Sequence, residues 1–128
     1  MELNRIDHVA IICSDYERSK KFYVDILGLT IVSEAYRAER KSYVLKMAVG
    51  KIYQIELFSF PECPPRVSDP EACGLRHLAF EVSNLDESIL ELASKGVCTE
   101  EVRFEQARQK RFAFFRDPDG LPIELFEE

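Results

Sequence analysis

Two stretches of this chain are versions of one another, and that internal repeat constrains the fold more than any other feature of its 128 residues. Ile6-Asp7-His8-Val9-Ala10-Ile11-Ile12-Cys13-Ser14-Asp15 aligns with Leu75-Arg76-His77-Leu78-Ala79-Phe80-Glu81-Val82-Ser83-Asn84, an offset of 69 residues. A repeat of this kind means one supersecondary unit used twice, so whatever each half folds into, the other half folds into as well. Each copy reads as a strand leading into a helix cap. The first helix is expected to begin at Ser14, with Glu17 completing a capping box. Tyr16, Ser19, Phe22, Tyr23, Ile26 and Leu27 then follow at helical spacing, and Gly28 stops the helix. In the second copy Ser83 and Asp86 take the capping positions, Leu85, Ile89, Leu92 and Ala93 form the apolar stripe, and Gly96 closes it.

Three strand-like runs follow each helix. They are 29–36, 42–49 and 52–60 in the first half, and 97–104, 112–116 and 121–126 in the second. Each half is therefore βαβββ, and the class is α+β. Asp117-Pro118-Asp119-Gly120 is a strong turn signal between the last two runs, with Gly50-Lys51 in the corresponding place. The segment Pro61-Glu62-Cys63-Pro64-Pro65-Arg66-Val67-Ser68-Asp69-Pro70 propagates neither helix nor central strand, so it is a linker. The expected organisation is a single domain over 1–128, with a first module at 1–60, a linker at 61–74 and a second module at 75–128.

The chemistry sits on the repeat. The chain has two histidines, His8 and His77, and both occupy the same repeat position. Gln54-Ile55-Glu56-Leu57-Phe58 aligns with Pro122-Ile123-Glu124-Leu125-Phe126, which places a carboxylate inside an apolar strand in both halves. His and Glu are 48 residues apart in one half (8 to 56) and 47 in the other (77 to 124). Side chains alternate along a strand, so His8 shares a face with Ile6, Ala10 and Ile12, and Glu56 with Gln54 and Phe58; adjacent first and last strands bring His and Glu together. Taken singly, a histidine on an apolar strand reads as a satisfied core residue and a glutamate as a solvated one. Four of them in register read as ligands of one divalent cation, which offsets the cost of two carboxylates in apolar strands. Two imidazoles and two carboxylates without thiolate suit Zn²⁺, Ni²⁺, Fe²⁺, Mn²⁺ or Co²⁺.

Composition removes other classes. With 46% hydrophobic and 31% charged residues and no apolar run of roughly 20, the chain is of the globular type without a membrane segment. The start, Met1-Glu2-Leu3-Asn4-Arg5, lacks the pattern of a secretory signal, so a cytoplasmic address is expected and Cys13, Cys63, Cys73 and Cys98 read as reduced thiols. Cys13, in an apolar strand, reads as a small buried hydrophobe. A net charge of −6 argues against nucleic acid. Phe112-Ala113-Phe114-Phe115 reads as core. Arg37, Glu39 and Arg108 read as solvated or rim surface, whereas Lys110 and Arg111 are candidate contacts for an anionic substrate.

Together these residues resemble the vicinal-oxygen-chelate superfamily, which includes glyoxalase I, methylmalonyl-CoA epimerase, extradiol dioxygenases and fosfomycin-resistance enzymes. The resemblance covers the whole chain and rests on Asp7-His8-Val9-Ala10-Ile11, Phe22-Tyr23-Val24-Asp25-Ile26-Leu27-Gly28, Ile55-Glu56-Leu57-Phe58, Leu75-Arg76-His77-Leu78-Ala79-Phe80 and Asp117-Pro118-Asp119-Gly120 with Ile123-Glu124-Leu125. Glu56 to Pro61, Glu71 to His77 and Gln109-Lys110-Arg111-Phe112 resemble the bacterial YaeR subgroup. The resemblance implies a glyoxalase/bleomycin-resistance/dioxygenase-type fold, in which the modules curl into incomplete barrels around a metal cleft. It implies a homodimer, with modules paired within or between chains, and a small oxygen-chelating substrate. Glyoxalase-like lyase or isomerase chemistry then proceeds by proton abstraction to a metal-stabilised enediolate, with Glu124 as base and Glu56 as the alternative for the opposite face. An Fe²⁺ dioxygenase and a small-molecule binding protein without turnover are the competing readings. Bacterial glyoxalase I holds glutathione with an arginine four residues after the first metal histidine and an asparagine four residues after the first metal glutamate. Ile12 and Phe60 occupy those positions here, which argues against a glutathione thioester.

Overall fold

The computed structural model describes residues 1–128, which divide into two compact units, Met1–Pro65 and Arg66–Glu128. In the first unit, β1 (Val9–Cys13) leads into α1 (Tyr16–Lys21) and a widened π turn (Phe22–Ile26); β2 (Thr30–Arg37), a short 3₁₀ turn, β3 (Ser42–Val49) and β4 (Ile52–Ser59) follow. The sheet order is β1-β4-β3-β2, with β1 parallel to β4 and the other pairs antiparallel. Alternation sorts the sheet into two faces. Ile11, Cys13, Leu45, Met47, Ile55 and Leu57 are all buried, and they share one face with the aromatic residues of the helix. Each such aliphatic side chain contributes roughly 1.5 to 3 kcal/mol by leaving water. Ala10, Ile12, Lys46, Glu56 and Phe58 take the other face.

The first helix differs from its sequence reading at both ends. Asp15, not Ser14, caps it, its carboxylate accepting from the Arg18 amide at 3.2 Å. The last turn is π rather than α, with the Leu27 amide bonded to the Phe22 carbonyl at 2.9 Å. The wider turn lets two consecutive rings, Phe22 and Tyr23, both lie buried, edge to face at 5.1 Å. Gly28 then takes φ +78°, the left-handed conformation that ends the element.

The second unit repeats the plan. β5 (Leu78–Val82), α2 (Leu85–Ser94), β6 (Arg103–Glu105), β7 (Lys110–Arg116) and β8 (Pro122–Glu127) give the sheet order β5-β8-β7-β6, again with the first and last strands parallel. Its core holds Leu85 and Leu92 from the helix with Ala113, Phe115, Ile123 and Leu125 from the strands. The cap again falls one residue later than expected: Asn84, not Ser83, accepts from the Glu87 amide at 3.1 Å. The run 97–104 is strand only over Arg103–Glu105; upstream of it Glu100 alone bonds to β7, its amide meeting the Phe114 carbonyl at 2.7 Å. Short edge strands of this kind resist pairing with other chains. Asp117 organises the turn before β8. Its buried Oδ1 accepts from the amides of Asp119 and Leu121, both at 2.9 Å, and Gly120 adopts φ +86°.

No helix is long and apolar enough to cross a membrane.

Candidate metal centre

The parallel pairing of first and last strands sets the geometry of both His–Glu pairs. Ala10 lies opposite Glu56 and Ala79 opposite Glu124, so each histidine, two residues earlier, is the diagonal neighbour of its glutamate and within reach of a long side chain. His8 and His77 each stand one residue before the paired strand begins, rather than inside it. In the first unit His8 Nε2 is 3.6 Å from Glu56 Oε2; in the second, His77 Nε2 is 3.1 Å from Glu124 Oε2. The same nitrogen faces the same kind of carboxylate oxygen in both. No group of three or more His, Cys, Asp or Glu side chains gathers to hold a metal ion, so each unit supplies a pair of donors.

The surroundings of the two pairs differ. Glu56 is 7% exposed, and its Oε1 accepts a short hydrogen bond from the Tyr53 hydroxyl and lies 3.5 Å from Lys46 Nζ. Lys46 is its cross-strand partner. Tyr53 reaches it because β4 carries one extra residue against β3, Met47 pairing with Ile55 but Ala48 with Tyr53. The expectation that Gln54 and Glu56 occupy successive places on one regular face therefore fails at this bulge. Burial, followed by the hydrogen bond to Glu56, pushes the Tyr53 hydroxyl up to about 12. His8 Nδ1 is 2.8 Å from Asp7 Oδ2, an arrangement that orients the ring with Nε2 toward Glu56. Glu124 has His77 alone as a polar partner, and the Phe114 residue opposite it packs edge-on against the His77 ring at 5.1 Å. His77 Nδ1 is 3.0 Å from Arg76 Nη1.

The donor set fits a divalent cation. Both histidines direct Nε2 at a carboxylate, both carboxylates sit in apolar strands, and none of the four cysteines is in a disulfide, with Cys13 buried on the helix-facing side of its sheet.

The candidate anion contacts have different positions. Arg111 lies on the helix-facing side of the second sheet, where its guanidinium holds Glu127 at 2.7 Å and Asp86 at 3.1 Å. Lys110 has the alternation of Phe112, Phe114 and Glu124, on the opposite face. Residues near the pairs that sequence reading passed over are Tyr53, Lys46 and Asp7 in the first unit, and Arg76, Phe114 and Arg103 in the second. Asp7 was readable from its adjacency to His8; Lys46 and Tyr53 both depend on the bulge, since an unbroken hairpin about Gly50-Lys51 sets Lys46 opposite Ile55. Phe114, read as core, is 9% exposed and carries the Arg103 and Arg76 guanidinium groups over its ring at 5.5 and 5.7 Å.

A model of the Glyoxalase/Bleomycin resistance protein/Dioxygenase superfamily matches residues 5–125. The chain belongs to this superfamily. It is 55% identical over 128 residues to YwkD of Bacillus subtilis (strain 168), covering all of both chains. To YaeR of Escherichia coli (strain K12) it is 53% identical over 126 residues, covering 98% of each. Among solved structures, the glyoxalase family protein from Enterococcus faecalis superposes with a TM-score of 0.90 at 43% identity, over 99% of this chain and 100% of the other. More distant members of the superfamily with named activities include human mitochondrial methylmalonyl-CoA epimerase and the lactoylglutathione lyase of Schizosaccharomyces pombe. The first is 26% identical over 96% of this chain and 73% of that protein; the second is 25% identical over all of this chain and 49% of that protein. The superfamily thus contains both a lyase and an epimerase, and its two-module α+β fold is the one described above.

Proposed function

We propose that the chain is a metal-dependent, glyoxalase-like lyase or isomerase, in which His8, Glu56, His77 and Glu124 together hold one divalent ion and Glu124 removes a proton from a carbon next to the substrate's paired oxygens. The ion is Zn²⁺, Ni²⁺, Fe²⁺, Mn²⁺ or Co²⁺, and when bound it supplies stabilisation of negative charge on the substrate oxygens. Each unit contributes one His–Glu pair, and the modules belong to a single domain or to a cytoplasmic homodimer.

The observation that carries the division of labour is the asymmetry between the carboxylates. Glu56 has an acceptor relationship at each oxygen, with Tyr53 and Lys46 at Oε1 and His8 at Oε2, so it is held as a fixed negative group. Glu124 has one partner, His77 at 3.1 Å, and an aromatic neighbour that offers no hydrogen bond. A base has to turn from its resting partner to the proton it takes, and Glu124 is the carboxylate with less to give up. Phe114 and Arg76, both against His77, fix the ring so that Nε2 stays directed at the site. A glutathione adduct is not the substrate proposed: Ile12, 56% exposed on the Glu56 face, offers no partner to a tripeptide carboxylate.

The test is exchange of the substrate-type proton. Metal-loaded enzyme is given small 2-hydroxy-carbonyl compounds in deuterated water and solvent deuterium is followed into the carbon. Glu124→Gln, whose amide still ligates weakly, is assayed with metal in excess so that the site is filled, and should lose exchange by ~10²-fold or more, the ordinary scale of a general base. Full exchange in that variant would assign the proton to another group.

A further inference from the structure

The Glu124 face of the second sheet carries a second built feature beside the proposed site. We propose that the pocket between the 66–72 loop and this face is an oxyanion subsite, which takes the carboxylate or phosphate group of the substrate next to the His77–Glu124 pair. It deepens the reading above by naming a substrate class, small molecules that carry an anionic group, and it rests on that reading only for its place beside the reacting atoms.

The pocket has a volume of about 110 Å³ and is lined by four arginines, Arg66, Arg76, Arg103 and Arg116, against two carboxylates, Glu71 and Glu100. The carboxylates are accounted for: Arg76 Nε is 2.9 Å from Glu71 Oε2, and Arg103 Nη2 is 2.6 Å from Glu100 Oε2. Arg66 and Arg116 have no carboxylate partner. Arg66 donates to Ser68 Oγ at 3.0 Å and to the carbonyls of Leu75 and Arg76 at 2.9 and 2.8 Å, and Arg116 donates through Nη1 to the Gly120 carbonyl at 3.1 Å. Neutral carbonyls orient a guanidinium without cancelling its charge. Two oriented and uncompensated cations in one small pocket, on a chain whose net charge is −6, are a feature that the overall electrostatics does not produce by itself.

The chemistry of the occupant follows from the lining. The planar guanidinium fork matches the paired oxygens of a carboxylate or phosphate. The volume lies well under the ~300 to 1,000 Å³ of a whole ligand site, so it suits one group of a larger molecule. Its position follows from two residues it shares with the proposed site. Phe114 lines the pocket and packs on His77, and Arg76 lines it and approaches His77 Nδ1. Strand alternation puts Phe114, Arg116, Pro122 and Arg103 on the side of the sheet that carries Glu124.

The test is binding to metal-free protein, so that it stands apart from the metal assignment. Chelated chain is titrated calorimetrically with inorganic phosphate and, separately, with malonate, the ionic strength being held constant with sodium chloride. We expect saturable binding at one site per chain. Arg116→Gln should weaken it by about 5-fold or more, and Lys21→Gln, which removes the same charge from an exposed position on the first helix, should leave it unchanged. Tighter phosphate than malonate identifies a phosphorylated substrate, and the reverse a carboxylate one. Absence of binding above chloride, or an Arg116→Gln variant that binds as tightly as the parent, overturns the proposal. A chain that binds the anion but holds no metal contradicts only the metal reading, and one that holds metal but binds no anion contradicts only the subsite.

Discussion

Exchanging each glutamate for glutamine in metal-free protein should change stability unequally, with the loss confined to Glu56→Gln. In Glu56→Gln the side-chain oxygen can still accept from Tyr53, but the bond falls from the charge-assisted range of ~1.5 to 3 kcal/mol to the neutral range of ~0.5 to 1.5, a loss of about 1 kcal/mol. The Lys46 contact at 3.5 Å adds little, ~0.5 kcal/mol at most, because the lysine side chain is 45% exposed and its charge is screened. Together these give a loss of about 1 to 1.5 kcal/mol. Glu124 is half-buried and has one imidazole partner, so neutralising it gives up a single contact while lowering the cost of desolvating the side chain, and should be neutral or stabilising by up to ~1 kcal/mol. Urea unfolding in the presence of chelator measures both. With a slope of about 1 to 3 kcal/mol per molar, the Glu56→Gln midpoint should fall by about 0.5 to 1 M while that of Glu124→Gln holds or rises. A Glu124→Gln variant less stable than Glu56→Gln would refute the argument that Glu124 is the less engaged carboxylate.

Asp117→Ala should cost about 1 to 3 kcal/mol in urea unfolding, because it strands the buried Leu121 amide and the half-buried Asp119 amide, while Asp117→Asn, which keeps an acceptor, should cost less than half of that; equal losses would mean that the two amide bonds do not hold the turn. The hydrogen bond from Arg111 holds the Glu127 carboxyl below its ordinary value of 4.5, so the stabilisation from this pair is present above that value and is lost as pH falls through the lower folded value. Arg111→Gln should therefore lower the melting temperature at about pH 7 and differ less from the parent at about pH 3; a gap that widens in acid would contradict the assignment.

The plan of the fold was legible because the repeat and the strand periodicity agree. β3 falls on the run 42–49, and the other major strands lie within a residue or two of their runs. What was not legible has local physical causes. Both caps fall one residue late because Ser14-Asp15 and Ser83-Asn84 each offer two capping side chains in succession, and the box residue three positions on does not decide between them. The π turn follows from burying Phe22 and Tyr23 together, a packing demand that helical spacing does not report. In the candidate site, the convergence of each histidine with its glutamate was readable from the repeat register, since parallel pairing of first and last strands brings both together. The Tyr53 contact was hidden by the one-residue bulge, and Arg111 looked available because its two carboxylate partners come from α2 and β8, 25 and 16 residues away. The arginine pocket was invisible for the same reason: its members are spread from 66 to 116 and only the folded sheet edge and loop assemble them.

The central proposal, that His8, Glu56, His77 and Glu124 hold one divalent ion, is tested most directly by the metal content of the purified, dialysed protein. Elemental analysis should find about one divalent ion per chain, and either His77→Ala or Glu56→Gln, each in a different unit, should reduce retention by ~10-fold or more. About two ions per chain, each lost with its own pair, would contradict the claim, as would a content that neither substitution changes.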